Sequence, residues 1–218
     1  MIKGLPNKKI HINKTHGAPL VYKKVPLRVI LPLKRGMLHT YQIYQSYYMY
    51  PSRGCVVIDC GFNTFREVPV RPGIRFKKGE IVLLKRTTKG FRLKRIKASY
   101  SVLYTYKAYL ERIIDGNTIL VSIDCGFGTW VRQPLRFRGI NAPPLTTQKG
   151  KNTKRFIEKA LKLRHFIIIK TYLSDKYDQF LVDVFYTPGE ADQDKVAQEG
   201  RFLNQELLDN KLVTPMVW

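Results

Sequence analysis

Ile58-Asp59-Cys60-Gly61-Phe62 and Ile123-Asp124-Cys125-Gly126-Phe127 are the same five residues in the same order, 65 positions apart. Held at that offset, the match extends outward without a gap. Leu38, Thr40, Tyr41 and Tyr44 fall on Leu103, Thr105, Tyr106 and Tyr109, and Val56 and Thr64 fall on Val121 and Thr129. Pro69 and Arg71 fall on Pro134 and Arg136, which makes 13 identities in the 34 positions from Leu38 to Arg71. Chance supplies about two at ordinary residue frequencies, so the chain contains a duplicated module.

Both copies have the pattern of strands. Residues 54–62 (GCVVIDCGF) and 117–127 (NTILVSIDCGF) are β-branched runs broken at glycine, where a missing Cβ permits a turn or bulge. Residues 65–71 (FREVPVR) and 130–138 (WVRQPLRFR) supply the next strand of each copy. Residues 79–97 then predict a hairpin with Lys89-Gly90 near its tip, and residues 166–186 a second with its turn at Asp175-Lys176-Tyr177. Between them the second copy inserts a loop, NAPPLTTQKGKN, and a helix from Thr153 to about Arg164 with Phe156, Ile157, Ala160, Leu161 and Leu163 on its apolar side. A further helix is expected over about Arg201 to Asn210. The expected fold is mainly β with added helices, two five-stranded OB-type barrels in tandem: a basic arm over 1–36, a first barrel over 37–100, and a second, helix-bearing one over 104–218.

The chain has 218 residues, with 39 Lys and Arg against 16 Asp and Glu, a formal charge of +23. That excess is far beyond the needs of solubility and points to a polyanion, nucleic acid foremost. It is uneven: the first hundred residues hold 22 bases and three acids (Asp59, Glu67, Glu80), and residues 1–58 hold no acid. The arm, with Lys8, Lys9, Lys23, Lys24, Lys34 and Arg35, has the composition of a segment that neutralises phosphates or contacts another subunit; the alternative is an arm packed on its own chain. The densest basic run is the first hairpin, where Lys85, Arg86, Lys89, Arg92, Lys94, Arg95 and Lys97 occur with no acid among them. Alternation sets several of these on one face and leaves Val82, Leu84, Phe91, Leu93 and Ile96 to fill the barrel; the alternative is a merely solvated face. Tyr41, Tyr44, Tyr47, Tyr48 and Tyr50 could stack on bases or fill core and interface, the latter being commoner for tyrosine.

Cys55, Cys60 and Cys125 are odd in number and lack CxxC spacing, and His11, His16, His39 and His165 share no metal-binding spacing. No metal or other cofactor is expected, and the cysteines fit reduced thiols in an intracellular, reducing compartment, with mitochondria and other organelles among the candidates. Apolar runs stop short of the ~18 residues of a membrane span, and the N-terminal stretch lacks a signal-peptide core.

The second half resembles the staphylococcal nuclease-like (thermonuclease) family. RIIDGNTI stands where that family has a V-I-D-G-D-T strand, and FRGINAPP where it has R-L-x-G-I-D-A-P-E. SDKYDQFLVDVF stands for D-K-Y-G-R-x-L-A-x-V, and RFLNQELLDNKLVTP for the closing helix. The resemblance implies an OB-type barrel built for calcium-dependent phosphodiester hydrolysis, with two metal-binding Asp, a general-base Glu and two Arg. By position, the metal ligands are Asn117 and Asn141, the general base is Pro144 and the second arginine is Gln179. Arg136 keeps the first arginine and Asp115 the non-ligand acid; Arg136 could keep its phosphate-facing position or form a structural ion pair with Asp115. Neutral amides are poor ligands for a hard cation and proline cannot act as a base. The expectation is therefore a non-enzyme, a nuclease-like chain acting as an RNA-binding structural component of a large ribonucleoprotein such as an organellar ribosome, in contact with other protein subunits. The alternatives are a scaffold subunit of an organellar, membrane or virion assembly that touches no nucleic acid, and residual phosphodiesterase activity.

Overall fold

The computed structural model describes residues 29–45, 51–88, 90–161, 166–174 and 179–216. The first copy forms β1 (Thr40–Tyr44), β2 (Cys55–Asp59), β3 (Phe65–Pro69), β4 (Ile81–Thr87) and β5 (Gly90–Arg95). A single 3-10 turn, Tyr100–Val102, leads to the second copy: β6 (Thr105–Ile113), β7 (Thr118–Asp124), β8 (Trp130–Phe137), β9 (Ile140–Asn141), α1 (Gln148–Leu161), β10 (Ile167–Ser174) and β11 (Phe180–Tyr186). The chain then runs through α2 (Gln193–Glu199), β12 (Arg201–Phe202), α3 (Leu203–Asp209) and β13 (Thr214–Pro215), and β13 pairs with β9.

Register carries the duplication into three dimensions. Gln42 pairs with Asp59 as Lys107 pairs with Asp124, and Asp59 pairs with Phe65 as Asp124 pairs with Trp130. The sheet of the second copy has the order β10-β6-β7-β8-β11-β12, and β10 also pairs with β11, so five strands close into a barrel with β8 and β11 parallel. This closed barrel is compatible with an OB-like fold. The first copy departs from the expected tandem barrels. Its order is β3-β2-β1-β4-β5, and among the described residues β3 and β5 do not pair, leaving an open sheet.

The closing seam accounts for the difference. In the second copy Leu135, Arg136 and Phe137 pair with Phe180, Leu181 and Val182. Their counterparts at the 65-residue offset are Val70, Arg71 and Pro72. Proline has no N–H to donate and fits poorly in a central strand, so β3 stops at Pro69. The connecting segment takes up part of the space instead: Arg95 donates to the Arg75 carbonyl at 2.7 Å, and its guanidinium lies 5.0 Å from the Phe76 ring centre.

The helices also differ from expectation. α1 begins at Gln148, five residues before Thr153, because the Thr147 hydroxyl accepts the Gly150 N–H at 3.0 Å and starts the first turn. A Cβ on Gly150 would stand 2.1 Å from the Pro144 carbonyl oxygen, so the helix meets the Pro143-Pro144 backbone only through a glycine. The far end of the expected helix, like the turn at Asp175-Lys176-Tyr177, lies outside the described residues. α2 was not expected; Asp192 caps it by accepting from Asp194 and Lys195 N–H groups, and Gly200 ends it. α3 is two residues shorter at its start than expected, because Arg201 and Phe202 pair with β11 as β12.

One hydrophobic cluster spans both copies, from Tyr41, Ile58, Cys60 and Val82 to Ile119, Ile123, Leu135 and Ile169. The contacts between copies are reciprocal. The Tyr41 hydroxyl donates to the Cys125 carbonyl at 2.9 Å, and the Tyr106 hydroxyl donates to the Cys60 carbonyl at 2.9 Å. Tyr41 packs on Phe127 at 5.4 Å between ring centres, and Tyr106 packs on Phe62 at 5.3 Å. Residue i touching j while j's counterpart touches i's is the mark of a twofold relation. Gly61 and Gly126 make it possible: at φ of 79° and 82°, a Cβ on either would stand 2.0 Å from the tyrosine oxygen of the other copy. Asp59 and Asp124 hold the two turns by accepting the Gly61 and Gly126 N–H groups. Burial pushes the Cys60 and Cys125 thiols up to about 12, so both stay protonated and inert near neutral pH.

Residues 29–36 cross onto the second copy. Leu31 is buried, its N–H donating to Gln205 Oε1 at 2.8 Å, and Arg138 donates to the Pro32 carbonyl at 2.7 Å. Arg138 also makes a two-pronged ion pair with the fully buried Asp183, at 2.9 and 2.7 Å, to which the Tyr172 hydroxyl adds a bond of 2.7 Å. Lys170, 4% exposed, donates to the Leu103 carbonyl. Desolvation lowers its pKa to about 8, with Asp183 opposing the shift and Lys34 adding to it.

Candidate nucleic-acid interface

The nuclease-like positions come together only in part. β7 and β8 pair Thr118 with Arg136, which sets Arg136 beside the turn that carries Asp115 and Asn117. Asp115 Oδ1 accepts the Asn117 N–H at 2.8 Å and thus shapes the turn; it makes no ion pair with Arg136. Asn117 is buried, with its Oδ1 taken by the Thr118 hydroxyl at 3.2 Å. Arg136 reaches Asn141 Oδ1 only at a long 3.5 Å, and its buried Nε has no partner among the described residues. The Pro144 carbonyl serves α1, accepting the Thr147 hydroxyl at 2.7 Å. Gln179 precedes β11, one residue before the Phe180–Leu135 pair of the seam. Among the described residues no cluster of three His, Cys, Asp or Glu could hold a metal ion. A cation and two amides converge here, and the only carboxylate with them among the described residues, Asp115, is committed to a backbone N–H.

The β4–β5 hairpin presents its cations differently. Lys85 stands directly opposite Arg92, and Leu83 opposite Lys94, so Lys85, Arg92 and Lys94 share one exposed face. None of the three pairs with a carboxylate among the described residues. Arg95 points the other way and is held by Glu80, with Nε 2.9 Å from Oε1. Lys97 is exposed just beyond β5. In the arm, Arg35 is bound to its own chain: it donates to the Ala197 and Gly200 carbonyls at 3.0 and 2.6 Å and lies 4.7 Å from the Phe185 ring centre. Lys34 is exposed and lines a cavity with Asp59, Phe62 and Lys170. Lys8, Lys9, Lys23, Lys24 and Lys89 lie outside the described residues, as do Tyr47, Tyr48 and Tyr50. Tyr41 is spent on the contact between copies and Tyr44 on Phe65, 4.3 Å between ring centres.

The remaining member of the hairpin, Arg86, stands opposite Phe91. Parity aims Phe91 at the sheet interior, as the sequence predicts, yet it remains 48% exposed because it lies at the hairpin tip, beyond the packed part of the sheet. Its ring meets Phe127 of the second copy at 5.4 Å. Trp130, 54% exposed, stacks loosely on Tyr109 at 5.8 Å, and the two rings stand on the outer face of the second sheet. Sequence reasoning missed this aromatic group; the signal was Phe91 next to the tip glycine, where alternation no longer implies burial.

Among protein-family models none matches this chain, and no curated protein matches it in sequence.

Proposed function

We propose that the protein is a non-catalytic RNA-binding structural component of a large ribonucleoprotein such as an organellar ribosome, descended from a nuclease-like barrel and touching RNA through the β4–β5 hairpin. One observation carries the reading: Lys85 and Arg92 face each other across the hairpin with Lys94 alongside and no acid among the described residues to neutralise them. Like charges directly opposite in a sheet are destabilising, and a phosphate backbone relieves that strain while releasing its counterions. The hairpin belongs to the first hundred residues of the sequence, which hold 22 bases against three acids. Loss of catalysis follows from Asn117, Asn141 and Pro144, which leave neither ligands for a hard cation nor a base for water. A protein-only scaffold is the second reading, favoured by Ile30 and Leu33, apolar and exposed on the crossing segment.

Size-exclusion of the native protein at low salt, with and without RNase and DNase, separates the two. Collapse of a large particle by RNase supports the RNA reading, and the variant Lys85→Glu/Arg92→Glu/Lys94→Glu then fails to enter that particle. A particle that survives both nucleases overturns it in favour of the scaffold.

A further inference from the structure

The two copies form two equivalent hollows, one on each side of their twofold relation. One, about 550 Å³, is lined by Asp59, Phe62, Phe65, Tyr104 and Phe180; the other, about 500 Å³, by Asp124, Phe127, Trp130, His39 and Phe91. These sets correspond through the duplication, Phe65 to Trp130 and Tyr104 to His39, but they have diverged in what they expose. In the first, Phe65 is covered by Tyr44 and Phe180 packs edge-on against Phe62 at 4.8 Å, both half-buried. In the second, Phe91 and Trp130 both line the hollow and stand about half open to solvent.

We propose that this second hollow, between the hairpin of the first copy and the sheet of the second, is a stacking site for the bases of single-stranded RNA. The inference rests on the RNA reading above and adds the form of RNA and the rings that hold it. Two exposed aromatic faces call for a flat, apolar ligand, and the charge around them calls for an anionic one. Arg86 on the hairpin wall has no carboxylate partner among the described residues. Lys107, from the second copy, lies over the Tyr109 and Phe166 rings, at 5.3 and 4.8 Å, with no acid paired to it among the described residues. The single carboxylate among the described lining residues, Asp124, accepts the Gly126 N–H. His39 and Gln193, bonded to each other at 3.2 Å, add polar groups suited to base edges. Lys85, Arg92 and Lys94 continue the positive surface past the rim. A strand could run its phosphates along the hairpin and lay bases on Phe91 and Trp130, as stacking on aromatic platforms beside a basic track requires. A duplex keeps its bases stacked inside and offers none to the rings.

Trp130 is one of two tryptophans, so the full-length Trp218→Phe protein makes it the only one. This protein is titrated with a labelled 12-residue oligouridylate and with an RNA duplex of the same length, reading label anisotropy and tryptophan fluorescence together. The expected result is Trp130 quenching that saturates with the anisotropy for the single strand and is absent for the duplex. Phe91→Ala should weaken single-strand binding by about 5- to 150-fold, the range of one lost stack, and leave duplex binding unchanged, while Phe91→Trp restores it and shows the fold intact. Anisotropy binding without quenching, or with Phe91→Ala neutral, overturns the stacking site and leaves the hairpin reading standing. No binding of either RNA at low salt overturns both.

Discussion

Gly126→Ala tests the reciprocal contact between the copies. Alanine at φ 82° costs about 1–2 kcal/mol for its left-handed backbone. Its Cβ would also stand 2.0 Å from the Tyr41 oxygen, and such overpacking adds about 1–3 kcal/mol. Tyr41→Phe removes that oxygen, and the next atom of the ring lies at 3.1 Å, where a shift of a few tenths of an ångström relieves the contact. Alone, Tyr41→Phe loses a buried hydrogen bond to the Cys125 carbonyl, about 1–2 kcal/mol. The double variant keeps the backbone strain and the lost bond but not the clash, so it should be more stable than the two single losses added together, by about 1–3 kcal/mol. The twofold relation requires the same coupling for Gly61→Ala with Tyr106→Phe, whose distances are the same. The crossed pair, Gly61→Ala with Tyr41→Phe, should be closer to additive. Urea unfolding of the four variants of each cycle measures all three. Additivity within about 0.5 kcal/mol in both matched pairs would refute the reciprocal packing.

Lys170 gives a pH signature. With its folded pKa at about 8, below the ordinary lysine value of 10.5, the unfolded chain binds more protons in between, and stability rises with pH through that window. From pH 8 to 9.5 this contributes about 2 kcal/mol, while the buried thiols and tyrosines push the other way at the upper end, their pKa values being raised. The difference between wild type and Lys170→Met isolates it: in urea unfolding at pH 7.5, 8.5 and 9.5 wild type should gain stability relative to the variant as pH rises, and parallel curves would count against a desolvated lysine. Gly150→Ala should lower the thermal midpoint even though alanine favours helix by about 1 kcal/mol, because its Cβ meets the Pro144 carbonyl oxygen rather than open space. A stabilised variant in calorimetry would mean that the α1 start does not press on that proline.

What could be read from sequence depended on how local the cause was. The duplicated IDCGF run gives the register of both sheets, since register follows from alternation and turn position. The open first sheet was foreshadowed by Pro72 standing where Phe137 closes the barrel, but proline becomes decisive only once its strand is known to need a parallel partner. α2 escaped because its seven residues, QDKVAQE, bury only Val196 and Ala197, too short a stripe to show helical period. In the candidate site, the basic hairpin was visible as composition. That Arg95 is spent on Glu80 and Arg35 on two carbonyls was not, because those partners are 15 and more than 160 residues away. Phe91 was misassigned for a related reason: alternation gives the side a residue faces, and burial depends on whether anything stands there.

The reciprocal contact between the copies is made by residues that are identical in both. Tyr41, Cys60, Gly61 and Phe62 meet Cys125, Gly126, Phe127 and Tyr106, while the hairpins and helices differ and the seam keeps only its arginine, Arg71 and Arg136. Such an arrangement is the interface of a symmetric dimer written into one polypeptide. Joined in a single chain, the halves meet at an effective concentration that dilution does not change. Neither half must then match the other beyond the shared contact. One could close its barrel and gain helices while its twin opened, turned basic and was freed for a different task, with association guaranteed by the peptide bond between them.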